Sequence, residues 1–264
     1  MVRPVIALLT DFGMRDHYAG TMKGVILAIC PDITLVDISH DIPAHDVLAG
    51  ALELAAAYRY FPAGTIFLAV VDPGVGSARR GIAVEAADYK FVAPDNGVLT
   101  PIFEEHNPRR VVELSERRYA RPTISRTFEG RDRFAPAAAW LAKGIELTAL
   151  GRPAGNIQRL EIPQPEIDVD RITGQVLRVD HFGNLITNID RRTFEKLAGS
   201  GVVDVRVGGH QVSKLVSTYA DVANGEIAAL FGSTDHLEVA ANGQSAARAL
   251  DLDRGAPVHI ARRA

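Results

Sequence analysis

The chain has 264 residues, 47% of them hydrophobic, with a formal net charge of −3 and a pI near 6.2. This composition can bury one large core or two smaller ones, and its slight acidity without a long basic run argues against a nucleic-acid partner. The single cysteine, Cys30, excludes an internal disulfide framework and a cysteine-based zinc site. No apolar run approaches the ~18 residues of a membrane span, and no N-terminal stretch resembles a signal peptide. We therefore expect a cytoplasmic protein that does not bind membranes.

The first third of the chain alternates predicted strands with predicted helices. Val5–Thr10 is an apolar strand followed by Asp11-Phe12-Gly13, and a helix with apolar residues at helical spacing ends before Pro31. A strand over 33–38 and an Ala/Leu-rich helix over 45–60 follow. His40 and His45, between them, are interpreted first as hydrogen-bonding residues of a loop. Alternation of this kind predicts a mainly parallel sheet covered on both faces.

Residues 66–80 carry the strongest functional signal, and they read Ile-Phe-Leu-Ala-Val-Val-Asp-Pro-Gly-Val-Gly-Ser-Ala-Arg-Arg. The six apolar residues have the length and β-branching of a strand buried on both faces. Asp72 closes this strand, a Pro-Gly-Val-Gly turn follows it, and Arg79 and Arg80 come next. Ligands bind at this end of the strands in open α/β sheets. On this segment alone, a ligand site and a simple turn cap at Asp72 both remain open.

The chain continues with strands over 82–85 and 91–93, a short helix over Thr100–Glu105 and a strand over 110–114. A polar cluster, 126–132, precedes an Ala-rich helix over 134–143 that has Pro136 in its first turn.

From about residue 151 the pattern changes to a proline-punctuated linker and then to short strands. We place the boundary between an α/β domain, 1–162, and a small all-β, barrel-like domain, 163–264. The predicted strands of the second domain are 176–180, 185–189, 202–207, Ile227–Phe231 and 237–240.

The second predicted domain carries polar loops between its strands. Asn184 and Asn242 each lie beside a glycine and fit ordinary turn chemistry. An aromatic ring such as Phe182, with amides and hydroxyls on neighbouring loops, also suits a purine, which needs a flat apolar surface and a few polar partners. Both interpretations remain open from the residues alone.

Five motifs together resemble the S-adenosyl-L-methionine (SAM) hydroxide adenosyltransferases, relatives of the adenosyl-fluorinase and chlorinase. These motifs are Thr-Asp-Phe-Gly (10–13), Val-Asp-Pro-Gly-Val-Gly (71–76) with Arg79-Arg80, Ala-Pro-Asp-Asn-Gly (93–97), Asp-His-Phe-Gly-Asn (180–184) and Ser233 with Ala-Asn-Gly (241–243). The resemblance covers nearly the whole chain and keeps the motif order. It implies an α/β domain, a β-barrel-like domain, and a homotrimer with the active site at the subunit interface. It also implies cleavage of SAM by water to adenosine and L-methionine, without a metal or a further cofactor.

The resemblance also implies roles for individual residues. Asp11 would hold the ribose hydroxyls, and Asp180 and Ser233 would take the amino and carboxylate groups of methionine. Asn184 and the turn that contains Ala241 and Asn242 would bind the adenine. Tyr219 would pack on the base, and Glu238, which is out of place on an apolar strand, is a further candidate.

The nucleophile is predicted to be water or hydroxide. The halogenating members of the family have a long insertion between the two strands after the glycine loop, whereas this chain has a short turn at Ala87-Asp88. They also lack a carboxylate at the position of Asp72. A fixed anion repels a halide by about 1–4 kcal/mol at ~4 Å for effective dielectric constants of about 80 to 20, and it can accept a proton from water.

One residue departs from the family pattern. The hydroxide-using members pair an aspartate and an arginine with a histidine in Thr-Phe-His-Gly-Arg-Asp, whereas residues 127–132 have Glu129 at the histidine position. Asp72, Arg79 and Glu129 are therefore the predicted catalytic residues. Glu129 either shares a proton with Asp72 for acid–base work, or pairs with Arg79 or Arg131 and only orients the site, or marks a site that has lost most of its rate. The alternatives to a hydrolase are a non-catalytic binder of adenosine or SAM and a halide-using adenosyltransferase.

Overall fold

The structure is a computed structural model that describes residues 3–199 and 201–263. It divides into two units, Met1–Glu161 and Ile162–Ala264. Each unit has its own sheet and its own buried apolar residues. Among the described residues, no helix has both the length and the apolar character that a bilayer crossing demands.

The described part of the first unit contains six strands and four α-helices. In chain order they are β1 (Val5–Thr10), α1 (Tyr18–Ile29), β2 (Thr34–Ser39), α2 (Val47–Ala57), β3 (Ile66–Val70), β4 (Gly81–Ala86), β5 (Tyr89–Pro94), α3 (Thr100–Glu105), β6 (Arg110–Glu113) and α4 (Ala135–Ala142). A π-helical turn, Gly130–Phe134, leads directly into α4. The predicted helix over 134–143 therefore has a wider turn before it.

The six strands form one mixed sheet in the order β2-β1-β3-β5-β4-β6. The β1–β2, β1–β3 and β3–β5 pairings are parallel, whereas β4 pairs antiparallel with both β5 and β6. The antiparallel part arises because a two-residue turn joins β4 to β5, and a parallel pair needs a much longer crossover. The predicted α/β class is confirmed, with the parallel strands on one side of the sheet.

Helices cover both faces of this sheet, and β3 is buried on both. Leu68 packs in a cluster with Met22 of α1 and Ala138 of α4. Its neighbour Phe67 packs on the other face in a cluster with Leu54 of α2. Because successive side chains of a strand point to opposite faces, a strand in this position needs an unbroken apolar run.

The second unit is built from short antiparallel strands. Its elements are β7 (Glu166–Ile167), β8 (Arg171–Val179), β9 (Leu185–Asp190), α5 (Arg191–Ala198), β10 (Val203–Val207), β11 (His210–Val212), β12 (Ile227–Phe231), β13 (His236–Ala241), α6 (Ala246–Leu250) and β14 (Pro257–Arg262). The strands follow the order β11-β10-β14-β8-β9-β13-β12, with β7 beside β8.

The chain after β11 nearly closes this sheet. The Ala229 amide of β12 donates to the Lys214 carbonyl, and the Val216 amide donates to the Ala229 carbonyl, both at 2.9 Å. Near-closure leaves few unpaired edge groups. The prediction of a barrel-like all-β region is confirmed.

Five elements of the second unit were missing from the sequence prediction, namely β7, α5, β11, α6 and β14. The start of α5 carries a recognisable signal, since the Asp190 carboxylate accepts a hydrogen bond from the Thr193 amide at 2.7 Å and caps the helix. β14 alternates buried with exposed side chains, as a half-buried strand does.

We expect Phe67→Ala to lower the free energy of unfolding by about 3–5 kcal/mol, because it removes a fully buried ring and leaves a cavity beside α2. Urea unfolding followed by circular dichroism measures this change. Tyr60→Ala is the control: its side chain is 75% exposed, and the expected change is within about 0.5 kcal/mol. Equal effects of the two substitutions would contradict the buried position of β3.

Candidate active site

Polar side chains gather where β1 and β2 end. Asp11 follows β1, and its Oδ2 accepts a hydrogen bond from the backbone amide of His45 at 2.8 Å. His40 follows β2 and is buried, with its Nδ1 2.7 Å from the hydroxyl of Thr10. His40 therefore bonds the last residue of β1 through its side chain, and His45 bonds Asp11 through its backbone. The His45 amide fixes the position of the Asp11 carboxylate.

Beyond the end of β3, Asp72, Arg79 and Glu129 form one hydrogen-bonded group, the Asp72–Arg79–Glu129 cluster. Arg79 Nε donates to Asp72 Oδ1 at 3.0 Å, and Arg79 Nη2 donates to Asp72 Oδ2 at 2.6 Å. The same Nη2 donates to Glu129 Oε2 at 3.0 Å. The three side chains are only 5%, 7% and 11% exposed, in the order of the cluster's name. The structure thus brings together the three residues predicted to be catalytic.

The loop after β3 is locked against the segment that carries Glu129. Gly76 has a φ of 77°, and a Cβ there would lie 2.3 Å from the carbonyl oxygen of Arg126, so this close approach requires glycine. Phe134, at the end of the π-helical turn, lies beneath Arg79, with the guanidinium carbon 5.3 Å from the ring centroid. Backbone and ring together hold the guanidinium in place between the two carboxylates.

The sequence left Arg79 and Arg131 as candidate partners of Glu129, and Arg79 is the one that hydrogen-bonds it. Arg131 pairs with its neighbour Asp132, to which its Nε and Nη2 each donate a hydrogen bond at 2.7 Å. The Asp132 carboxylate also accepts the Ser125 amide at 2.8 Å. Arg131 and Asp132 therefore hold the backbone before the π-helical turn instead of joining the cluster.

Burial raises the pKa of the Asp72 carboxyl, because a water-poor environment disfavours its charged form. The charge and hydrogen bonds of Arg79 oppose this rise, and the nearby negative charge of Glu129 adds to it. A carboxylate with a raised pKa beside a fixed cation is suited to accept a proton from a bound water. The cluster has the composition of a general-base site.

The second unit contains a cavity of about 820 Å³, within the size range of small-molecule sites. Seven of the residues predicted to bind substrate line it, namely Asp180, Phe182, Asn184, Tyr219, Ser233, Glu238 and Ala241. Asp11 belongs to the first unit. Asn242 is not part of the lining, since its side-chain amide donates to the Val222 carbonyl at 2.7 Å and holds the turn. The structure therefore gathers most of the predicted binding residues in one place.

The loop between β8 and β9 is organised by Asp180. Its Oδ1 accepts the backbone amides of Phe182 and Asn184, both at 2.9 Å, and its Oδ2 accepts the Asn184 side-chain amide, also at 2.9 Å. Gly183 has a φ of 85°, and a Cβ there would lie 2.0 Å from the hydroxyl of Ser245. These bonds leave Phe182 74% exposed and do not involve the side-chain oxygen of Asn184, which can accept a hydrogen bond from a ligand. The backbone carbonyl of Asn184 accepts the Asp180 amide at 3.1 Å.

Glu238 gives the cavity a second acidic group. Although it lies on β13, it is only 5% exposed, and the Tyr219 hydroxyl donates a hydrogen bond to its Oε1. Burial raises the pKa of Glu238. The Tyr219 hydrogen bond and the charge of Arg178 lower it, whereas the charge of Asp180 raises it further. Asp180 and Glu238 together place two acidic groups in the lining of the cavity, which suits an amino group or another cationic part of a ligand.

Sequence reasoning missed part of the cavity lining, notably Arg178, Ile186, Phe231, Gln244 and Arg248. Arg178 follows a register shift in the β8–β9 pairing, so strict strand alternation does not predict its face. Arg248 lies on α6, whose cap is a detectable signal because the Ser245 hydroxyl accepts the Arg248 amide at 3.2 Å.

An α/β unit with a buried carboxylate–arginine cluster and a β-barrel-like unit with a polar cavity define a protein built to act on a small molecule. The model of the SAM hydroxide adenosyltransferase N-terminal domain matches residues 6–151, and that of the C-terminal domain of the same family matches residues 174–259. The chain belongs to the SAM hydroxide adenosyltransferase family.

Individual relatives match over almost their full length. The chain is 40% identical over 256 residues to the (R)-S-adenosyl-L-methionine hydrolase of Salinispora tropica, which covers 96% of this chain and 95% of the relative. It is 32% identical, over an alignment of 290 residues, to the fluorinase of Nocardia brasiliensis, and the match covers 98% of this chain and 97% of the fluorinase. A solved structure of an uncharacterized conserved protein from Thermotoga maritima matches with a TM-score of 0.92 at 37% identity, covering 97% of this chain and all of that one.

The raised pKa of Asp72 predicts a pH-dependent stability. A carboxyl whose pKa is higher in the folded than in the unfolded state stabilises the fold at acidic pH and loses this contribution as the pH rises through the folded pKa. The free energy of unfolding of Asp72→Asn, relative to wild type, should therefore increase with pH from about 4 upward, by ~1.4 kcal/mol for each unit of raised pKa.

Denaturant unfolding at a series of pH values measures this difference. Asp88→Asn is the matched control, because Asp88 is 76% exposed and its difference from wild type should stay nearly flat. A flat difference for Asp72→Asn as well would contradict the raised pKa.

Proposed function

We propose that this protein hydrolyses S-adenosyl-L-methionine to adenosine and L-methionine by attack of water at the ribose C5′ carbon. The observation that carries the proposal is the buried Asp72–Arg79–Glu129 cluster, which combines a proton acceptor with a fixed cation. Relatives at 36–40% identity over nearly the whole chain are named (R)-S-adenosyl-L-methionine hydrolase. The substrate is accordingly a small molecule.

The reaction is a single in-line displacement. A lone pair of the water oxygen forms the bond to C5′, the C5′–S bond breaks, and its electron pair stays on sulfur. The sulfonium becomes the neutral thioether of methionine, so the leaving group needs no proton. Asp72 accepts the proton that the water loses, and Arg79 keeps the Asp72 carboxylate oriented. A water-poor site favours this step because attack of hydroxide on a sulfonium cancels charge.

The proposed binding roles follow the family resemblance, and the cavity of the second unit supports them. Asp180 and Ser233 take the amino and carboxylate groups of methionine, Asn184 binds the adenine, and Tyr219 packs on the base. All four line the same cavity. Asp11 holds the ribose hydroxyls, and its carboxylate is fixed by the His45 amide.

Water is favoured over a halide as the nucleophile. The hairpin between β4 and β5 is closed by only two residues, Ala87 and Asp88, and two carboxylates flank the single guanidinium of Arg79. A halide at this point would lie beside the Asp72 carboxylate, which repels it, whereas water can give its proton to that carboxylate.

We further propose a cytoplasmic homotrimer with the active site at the subunit interface and no cofactor beyond the substrate. The trimer is supported by the family resemblance and the location by the composition of the chain. Displacement at a sulfonium needs neither an electron carrier nor an acid for the leaving group, which supports a reaction run by side chains alone.

Incubation with SAM in ¹⁸O-labelled water, followed by chromatography and mass spectrometry, tests the reaction. We expect equal amounts of adenosine and L-methionine and one ¹⁸O atom in the 5′-hydroxyl of adenosine. Asp72→Asn should lower kcat by about 10²–10⁴-fold, since it removes the general base, while Asp88→Asn leaves kcat unchanged. Formation of 5′-chloroadenosine in chloride buffer would refute the assignment of water.

Glu129→His separates a hydrolase from a binding protein. If the protein is a hydrolase, the wild type turns over SAM. Calorimetry of SAM binding and assays of adenosine formation then report the same site. If wild type binds SAM tightly but produces no adenosine, and Glu129→His does produce it, the protein is a binder and the hydrolase proposal fails.

Mixing two inactive variants tests the proposed trimer. If each site combines residues of two subunits, Asp72→Asn and Asn184→Ala subunits that are denatured and refolded together should regain part of the lost activity, because some mixed sites carry neither substitution. Analytical ultracentrifugation should give the mass of three chains. A monomeric mass, or no recovery in a mixed trimer, would contradict the shared site.

A further inference from the structure

The Asp72–Arg79–Glu129 cluster has an imbalance of charge that a fourth residue corrects. Two buried carboxylates share one guanidinium nitrogen, Arg79 Nη2. On the other side of Glu129, Arg133 Nη2 lies 3.8 Å from Glu129 Oε1, four residues further along the chain. Glu129 thus lies between two guanidinium groups, and the formal charges of the four side chains sum to zero.

Packing holds Arg133 in this place. The side chain is 27% exposed, and its Nε is buried without a hydrogen-bond partner within residues 3–199 and 201–263. Its stem lies against the start of β4, where a Cβ at Gly81 would come 3.4 Å from Arg133 Cδ and 2.5 Å from Cε1 of Phe134. Glycine at 81 therefore lets Arg133 and Phe134 lie close to β4. An arginine that served only solubility would extend into water instead.

The other basic side chains nearby have different partners. Arg131 pairs with Asp132 at 2.7 Å, and Arg126 donates to the Gly76 carbonyl at 3.0 Å. Within the described residues, the charged side chains that act on Asp72 are Arg79, which donates two hydrogen bonds to it, and Glu129, which acts through its charge. The second cation therefore acts on Glu129 and not directly on Asp72.

We propose that Arg133 is a positioning residue that keeps Glu129 ionised, so that Asp72 is the carboxylate that takes the proton from the attacking water. This inference rests on the proposed hydrolase function and adds to it. Two carboxylates held around one cation behave as a coupled pair, and a second cation beside only one of them directs the proton to the other. The contribution of the Glu129 charge to the raised pKa of Asp72 agrees with this division of roles.

The pH profile of kcat tests the proposal. Arg133→Met removes the charge and keeps the stem, so the pair should take up its first proton at higher pH. The acidic limb should move upward by about one pH unit, the size expected for one nearby charge under strong screening. Arg133→Lys should restore most of the wild-type profile. Arg118→Met, which removes a positive charge from a surface pair with Glu116, should leave it unchanged.

A double-mutant cycle with Glu129→Gln separates this role from a structural one. In the Glu129→Gln background, Arg133→Met should cause no further shift of the limb, because the anion on which it acts is gone. A loss of kcat that is equal at all pH values, or a shift of the same size in both backgrounds, would overturn the proposal. Arg133→Gln provides the same comparison if Arg133→Met does not fold.

Carboxyl ¹³C NMR on protein labelled at Asp and Glu gives a readout that does not depend on turnover. In wild type the Asp72 carbon, assigned with Asp72→Asn, should carry the first protonation of the pair. In Arg133→Met the Glu129 carbon should share it, at higher pH. If wild type forms no adenosine but this redistribution occurs, the hydrolase proposal fails and the role of Arg133 in directing the proton stands. Unchanged titration of both carbons would overturn that role.

Discussion

The site of the first unit depends on the hydrogen bonds that the guanidinium group of Arg79 donates. It bonds Asp72 at the end of β3 and Glu129 before α4, two residues whose buried carboxylates repel each other. Removing one partner of a buried ion pair leaves an uncompensated charge and costs about 3–5 kcal/mol. The conformation of the loop after β3, with glycine at position 76, is set by this contact and by the ring of Phe134 beneath it.

Such a cluster stabilises the fold poorly, and other parts of the unit have to compensate. Burial raises the pKa of Asp72, which means that the charged form needed for chemistry is disfavoured in the folded state. The compensation lies next to it in β3, whose five residues are all buried between two hydrophobic clusters. A rigid apolar strand thus carries the carboxylate, and its rigidity keeps Asp72 in place and aligned.

Each unit carries its own group of polar side chains. The first supplies the proton-accepting cluster, and the second supplies a cavity lined by an acidic wall, amides, hydroxyls and aromatic rings. In the cavity, Asp180 accepts three hydrogen bonds within its own loop, which fix Asn184 and do not involve the Asn184 side-chain oxygen. Membership of the SAM hydroxide adenosyltransferase family agrees with this division, since separate models of the family match the two halves of the chain.

The sequence by itself determined the α/β class, the barrel-like second half, and the residues that group in the cluster and the cavity. The fold class follows from local signals such as the unbroken apolar run of β3 and the glycine turn after Asp72, whereas most of the site residues were implied by the resemblance of the motifs to the family. The tertiary structure alone decided which arginine holds Glu129, that Arg133 lies on its far side, and that Asn242 bonds the Val222 carbonyl outside the cavity. For Glu129 and Arg79 the physical reason is that periodicity and turn chemistry act over a few residues, whereas these two side chains meet through packing of segments fifty residues apart.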